Sequence, residues 1–170
     1  MKVLDAGCGS GRNLFYFLKQ DFDVEGIDID QSEINASNFL SRVLGRGDVC
    51  GQASLSNLPF ANDTFDFVMC SRVVHFANSP EEFHKMMLEL ARVISPSGLL
   101  YLSMDSMIGL EKQVKKIDGH THQFPDGSVR FVLTENRLLE IEKSWTHLIA
   151  PRTVNFNGKH AETTLILNKI

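Results

Sequence analysis

A chain of 170 residues with 43% hydrophobic residues is the size of one domain and can bury a sizeable core. A formal net charge of −4, with no long Lys/Arg block, excludes a broad electrostatic footprint for nucleic acid or an anionic membrane. Three widely spaced cysteines without a CxxC pair suggest neither a disulfide framework nor a zinc site, and the lack of a long apolar run or signal-peptide pattern points to the cytoplasm.

The first predicted element is a buried strand, Val3-Leu4-Asp5-Ala6, that stops in the glycine-rich turn Gly7-Cys8-Gly9-Ser10-Gly11. Leu14, Phe15 and Leu18 then recur at helical spacing. Glycine opens backbone angles closed to other residues, and the helix start offers unpaired N–H groups, so the turn reads as a cofactor cradle. A tight strand-to-helix turn without a ligand fits the same residues. A second strand, Asp23 to Asp28, ends in a carboxylate about 20 residues beyond the first glycine. In a parallel nucleotide-binding sheet that is the place of the acid that takes the ribose hydroxyls. Asp30, with Glu33 three residues on, reads as the capping box of the second helix.

Asp48 to Ala53 is a weak third strand and Phe65 to Cys70 a clear fourth, nearly all apolar as a strand buried on both faces should be. A helix follows from Pro80 to Ile94: Ser79 caps it, Glu82 completes a capping box, and Phe83, Met87, Leu90 and Ile94 form its buried stripe. Ser95-Pro96-Ser97-Gly98 stops it, and Leu99 to Met104 is the fifth strand. Between Asp105 and Val132, punctuated by Gly109, Gly119, Pro125 and Gly127, the pattern is that of a long irregular connection, a site for substrate contacts or a mobile loop. Lys112, Lys115 and Lys116 within it read as a solvated helix face. A helix from Thr134 to Lys143 and strands near Trp145 to Ala150 and Thr163 to Asn168 close the chain. Strands alternating with helices predict an α/β fold with helices on both faces of a parallel sheet.

The glycines run G-x-G-x-G, not the G-x-G-x-x-G of a dinucleotide turn, and Asp5 stands two residues before the first. A carboxylate there repels a pyrophosphate and suits a ligand with a cationic group. The series VLDAGCGSGRN, GIDID, LPFANDTFDFVMCSRVVHF and ARVISPSGLLYLS resembles the class I S-adenosylmethionine-dependent methyltransferases, in order and spacing, over the first two thirds of the chain. GSGRN and the segment FPDGSVRFVLTENRLLEIEKSWTHL are loosely similar to the small tellurite-resistance-type members.

That resemblance implies a Rossmann-like, doubly wound, mostly parallel seven-stranded sheet with an antiparallel C-terminal strand. It implies S-adenosylmethionine as cofactor, held by Asp5, Gly7, Cys8, Gly9, Gly11, Asn13, Asp28, Ile29, Ser54, Leu55 and Ser71. Ser54 stands where many members carry an acid for the adenine amino group, with Asp48 upstream as the alternative; Ile29 would pack on the adenine. Ser71 to Phe76 would wall the active site, and the lack there of an Asn/Asp-Pro-Pro-aromatic tetrad disfavours base or glutamine amide methylation. His75 is either a general base or a packing histidine. His120-x-His122 lacks a third ligand, so no metal is expected; Arg130 and Arg152 are anion contacts or surface ion pairs.

The resulting expectation is methyl transfer to a small molecule by one methyltransferase domain spanning residues 1–170, without nucleic acid or membrane partners. The chain opens two residues before its first strand, without the family's usual N-terminal helices. That leaves an open crevice: either the chain is trimmed, another subunit of a homo-oligomer closes the site, or the protein is degenerate. An NAD(P)-linked oxidoreductase and a non-catalytic cofactor-binding protein are the competing readings.

Overall fold

The computed structural model describes residues 1–118 and 120–170; Gly119 lies outside the described residues. The strands are β1 (Lys2–Ala6), β2 (Asp23–Asp28), β3 (Cys50–Gln52), β4 (Phe65–Ser71), β5 (Ile94–Asp105), β6 (Lys115–Lys116), β7 (Thr121–Gln123), β8 (Val129–Phe131), β9 (Trp145–Phe156) and β10 (His160–Lys169). The helices are α1 (Arg12–Lys19), α2 (Gln31–Val43), α3 (Pro80–Val93) and α4 (Glu135–Ile141), with one 3₁₀ turn at Val74–Phe76.

Seven strands form the main sheet in the order β3-β2-β1-β4-β5-β10-β9. β1 to β5 pair in parallel, and β10 runs antiparallel to both β5 and β9. The architecture expected from the resemblance is therefore present. Successive residues of β1 serve opposite faces, as the pleat requires. Val3 packs with Leu14, Phe17 and Leu18 of α1, while Leu4 and Ala6 join the core built on Phe83, Met87 and Leu90 of α3. The chain reverses direction across the sheet between β1 and β4, so the C-terminal ends of these two strands frame a crevice.

Local chemistry sets the helix starts, with two departures from the expected capping boxes. Asp30 accepts from Ser32 N–H at 2.7 Å, but its own N–H goes to Asp28 Oδ1, not to Glu33. Ser79 accepts from Glu82 N–H at 3.1 Å, while the Glu82 carboxylate reaches one residue further back, to Asn78 N–H at 2.7 Å. Met86 and Val93 belong to the buried stripe of α3, which ends at Val93.

Four other expectations are corrected. The helix stops just before Ser95, as expected, but Ser95 to Gly98 does not precede β5: it lies inside that strand, whose pairing with β4 slips between Phe65 and Phe67 to admit it. The connection after β5 is not irregular throughout, because β6, β7 and β8 form a small antiparallel sheet around the turn Pro125-Asp126-Gly127. Lys115 and Lys116 accordingly sit on a short strand, not a helix. The last two strands are longer than expected and meet in a hairpin at Asn157-Gly158, both residues in the left-handed region that a two-strand turn demands.

Candidate active site

Gly7, Gly9 and Gly11 all take positive φ, at 84°, 50° and 91°. Gly7 has a second reason to be glycine: a Cβ there would lie 2.2 Å from Val73 Cγ2, so the turn can approach the chain leaving β4 only without a side chain. Gly7 and Cys8 N–H both donate to Ile27 O, at 2.8 and 2.9 Å, which ties the turn to the end of β2. The adjoining Asp28 carboxylate is fixed at both oxygens, with Gly9 N–H on Oδ2 at 2.9 Å and Asp30 N–H on Oδ1 at 3.0 Å. Each oxygen keeps further acceptor capacity on its cavity side.

Asp5 is the electrostatic anomaly of the fold. It is buried, and neither carboxylate oxygen has a hydrogen-bond partner. Burial pushes its pKa up to about 7, against the weaker pull of the Leu14 amide and the Arg12 guanidinium. A carboxylate left in this state beneath a glycine turn is matched by a ligand that brings positive charge.

A cavity of about 500 Å³ opens at the C-terminal edge of the sheet. Of the residues expected at the cofactor, Gly7, Asp28, Ile29, Ser54, Leu55 and Ser71 line it. Ile29 is 71% exposed, a bare apolar surface beside Asp28. Ser54 Oγ lies 2.9 Å from Ser56 Oγ, and Asp48 is turned away into an ion pair with Arg42. The remaining expected residues stand outside the lining. Asp5 lies behind the turn, Gly9 carries the N–H that holds Asp28, and Gly11 is packed against Ser37 and Leu40. Asn13 is half-buried in the first turn of α1, and Cys8 points its sulfur at Cys50.

The opposite wall comes from the segment after β4, as expected, through Arg72, Val73 and Phe76. Asn78, Glu82 and Met86 complete it and were not anticipated: Ser79 and Glu82 read as a cap and Met86 fell outside the stripe drawn for α3. The only signal for them was their position just past the expected wall.

His75 is 2% exposed and does not line the cavity. Its Nδ1 accepts from Asp105 N–H at 3.2 Å. Burial, reinforced by Arg72 and Arg130, holds its pKa down to about 3, so the ring is neutral at ordinary pH. Of the two roles expected for His75, this geometry is that of the packing histidine.

Behind Arg72 lies a polar cluster centred on Asp105, at the end of β5. His160 Nε2 is 2.6 Å from Asp105 Oδ1, Arg130 Nε 3.6 Å from Oδ2 and Arg72 Nη2 3.9 Å from Oδ1. Arg72 also pairs with Glu162 at 2.9 Å, and the Arg130 guanidinium lies over the Phe76 ring. Burial raises the Asp105 pKa, and Arg72, His160 and Arg130 oppose the rise. Arg130 is thus an ion-pair partner, while Arg152 lies exposed on β9. His122 is buried with Nδ1 unpartnered, and among the described residues no third ligand joins it and His120.

A doubly wound sheet with a cation-seeking glycine turn and an acid at the tip of the next strand defines a class of nucleoside-cofactor proteins. Within that class the chain belongs to the methyltransferase-domain family, whose model matches residues 4–102. Its cofactor is S-adenosylmethionine. It is 30% identical over 114 residues to the uncharacterized methyltransferase YodH of Bacillus subtilis, covering 67% of this chain and 44% of that protein. It is 34% identical over 110 residues to the uncharacterized protein MJ0638 of Methanocaldococcus jannaschii, covering 62% of this chain and 43% of that one. The chain thus spans less than half the length of these curated relatives. In fold it is similar to an S-adenosylmethionine-dependent methyltransferase of Methanosarcina mazei, with TM-score 0.80 and 20% identity over 99% of this chain and 92% of the other. It is also similar to the 1,6-didemethyltoxoflavin-N1-methyltransferase of Burkholderia thailandensis, solved with 1,6-didemethyltoxoflavin and S-adenosylhomocysteine, with TM-score 0.71 and 19% identity over 99% of this chain and 70% of that one. Among the described residues no helix is long and apolar enough to cross a membrane.

The residues fit this cofactor on three counts. The unpartnered Asp5 carboxylate suits its cationic amino-acid end, the fixed Asp28 carboxylate suits the two ribose hydroxyls, and Ile29 offers an apolar face to a purine.

Proposed function

We propose that the chain catalyses methyl transfer from S-adenosylmethionine to a small-molecule acceptor that enters between Ile29 and the Arg72–Phe76 wall. The observation that carries this reading is the continuity of the cavity: one space of about 500 Å³ joins the ribose acid Asp28 to Phe76. It has room for an adenosyl group and a small partner, within the range of ordinary ligand pockets. A net charge of −4 is a poor match for nucleic acid, and the Burkholderia neighbour was solved with a small molecule.

S-adenosylmethionine supplies a methyl group already activated by its sulfonium. The protein's task is then alignment and exclusion of water, effects that together lower barriers by ~7–11 kcal/mol in well-oriented reactions. Asp28 accepts the ribose hydroxyls, Ile29 and Leu55 bracket the adenine, and Ser54 meets its amino group. Asp5 balances the ammonium from behind the turn. Phe76 presents a 60% exposed ring to the acceptor.

Thermal melts with S-adenosylhomocysteine and with NADH test the cofactor assignment. A ligand at 100 times its Kd adds ~2.7 kcal/mol of stability; a response to NADH alone favours the oxidoreductase reading. Transfer of labelled methyl to a panel of phenols, amines, thiols and chalcogen oxyanions tests the reaction. Cofactor binding with no transfer to any of them would leave a binding protein.

A further inference from the structure

We propose that Cys8 and Cys50 form an oxidation site: a small disulfide oxidant closes them into an intrachain disulfide that distorts the glycine turn and weakens cofactor binding. The consequence for binding rests on the cofactor assignment above; the bond itself does not.

The two residues are 42 positions apart in sequence, yet their sulfurs lie 3.9 Å from one another. Cys8 sits inside the glycine turn, Cys50 opens β3, and β2 runs between them. The sulfurs meet over Gly26. A Cβ at that position would stand 2.7 Å from Cys50 Sγ and 3.1 Å from Cys8 Sγ, so a bare α-carbon in the middle strand is what lets the thiols touch. Cys50 borders an open groove with Asp48, Gly51 and Gln52, whereas Cys8 is buried. An oxidant therefore reaches Cys50 first. The Cys8 thiol donates to the Cys50 sulfur and lowers its pKa, favouring the thiolate at the accessible position.

The chemistry balances with glutathione disulfide as oxidant. The Cys50 thiolate attacks one of its sulfurs and expels one glutathione thiolate, which takes a proton from water. As Cys8 attacks Cys50 Sγ in the mixed disulfide, its proton passes to the second glutathione, which leaves as the thiol. Two protein thiols are oxidised and one glutathione disulfide is reduced to two thiols. Forming the bond draws the sulfurs to ~2.05 Å. Cys8 N–H holds Ile27 O at 2.9 Å, and the next amide, Gly9 N–H, holds the Asp28 carboxylate. A pull on Cys8 is therefore felt at the ribose acid within one residue.

The test treats the whole chain with glutathione disulfide, maps cross-links by peptide mass spectrometry and titrates S-adenosylhomocysteine by calorimetry. Expected are a Cys8–Cys50 peptide pair, Cys70 left as a free thiol in its fully buried place on β4, and a roughly tenfold rise in Kd that dithiothreitol reverses. Cys50→Ser binds S-adenosylhomocysteine as the reduced parent does and ignores the oxidant. Glutathionylation without the intrachain pair, no oxidation, or a cross-link that leaves Kd unchanged overturns the inference. Failure of the reduced protein to bind S-adenosylhomocysteine would count against the cofactor assignment instead, since the cross-link is read separately.

Discussion

Replacing Asp28 by alanine probes the proposed ribose end of the site and leaves the opposite wall, Arg72 to Phe76, intact. In the parent, Gly9 and Asp30 N–H groups already hold the carboxylate, so its orientation is set before a ligand arrives. In the proposed pose two ribose hydroxyls meet a pre-oriented anion, and hydrogen bonds to charged groups contribute ~1.5–3 kcal/mol. Loss of that acceptor predicts a Kd for S-adenosylhomocysteine some ten- to a hundredfold weaker by calorimetry, at about 1.4 kcal/mol per decade. Asp28→Asn keeps the size but offers one oxygen in place of two, and falls between the parent and the alanine variant. Melting temperatures of all three proteins must be compared, because Gly9 and Asp30 lose a partner as well. An unchanged Kd in a folded Asp28→Ala protein would refute the placement of the ribose.

Asp5, with its pKa near 7, makes the ligand-free protein bind more protons than the unfolded chain between about pH 4 and 7, so its stability falls as pH rises through that window. Asp5→Asn is expected to flatten that slope in urea titrations and to remove the tightening of S-adenosylhomocysteine binding expected of the parent between about pH 6 and 8 as Asp5 ionises. Gly7→Ala forces a side chain onto a residue at φ 84° and against Val73; unfolding titrations should show ~1–3 kcal/mol lost, together with weaker cofactor binding. His75 gives a pH dependence of the opposite sign. With its folded pKa near 3, the stability it provides is present above pH 6.5 and is lost as pH falls toward 3. His75→Ala strands Asp105 N–H and costs ~1–3 kcal/mol in denaturant, leaving S-adenosylhomocysteine affinity close to that of the parent.

The first half of the fold was legible because its signals are local. A strand that ends in Gly-x-Gly-x-Gly and a second that ends in Asp28 specify a parallel pair and the cavity edge between them. The buried stripe of α3 was legible for the same reason. Less was readable where pairing partners lie far apart. β6 to β8 are two or three residues long, below the length at which alternation can be recognised. The extension of β5 back to Ile94 depends on a slip opposite Phe65 that no local pattern records. One signal was present and passed over: Asn157-Gly158 is the strongest short hairpin signature, and it joins two strands each longer than expected.

The site divides in the same way. Residues that line the cavity at the glycine turn and the strand ends, such as Gly7, Asp28 and Ser71, were identifiable by position. His75 was not resolvable, because its neutrality comes from burial beside Asp105, Arg72 and Arg130, groups contributed by three different segments. The Asp105–His160 contact joins residues 55 apart and has no sequence signature at all.

The most direct test is a crystal structure of the chain grown with S-adenosylhomocysteine. The account predicts the ribose hydroxyls on the Asp28 carboxylate, the adenine beside Ile29 and the amino group on the side of the turn nearest Asp5. Ligand density elsewhere on the molecule, or a ribose that turns away from Asp28, would contradict it.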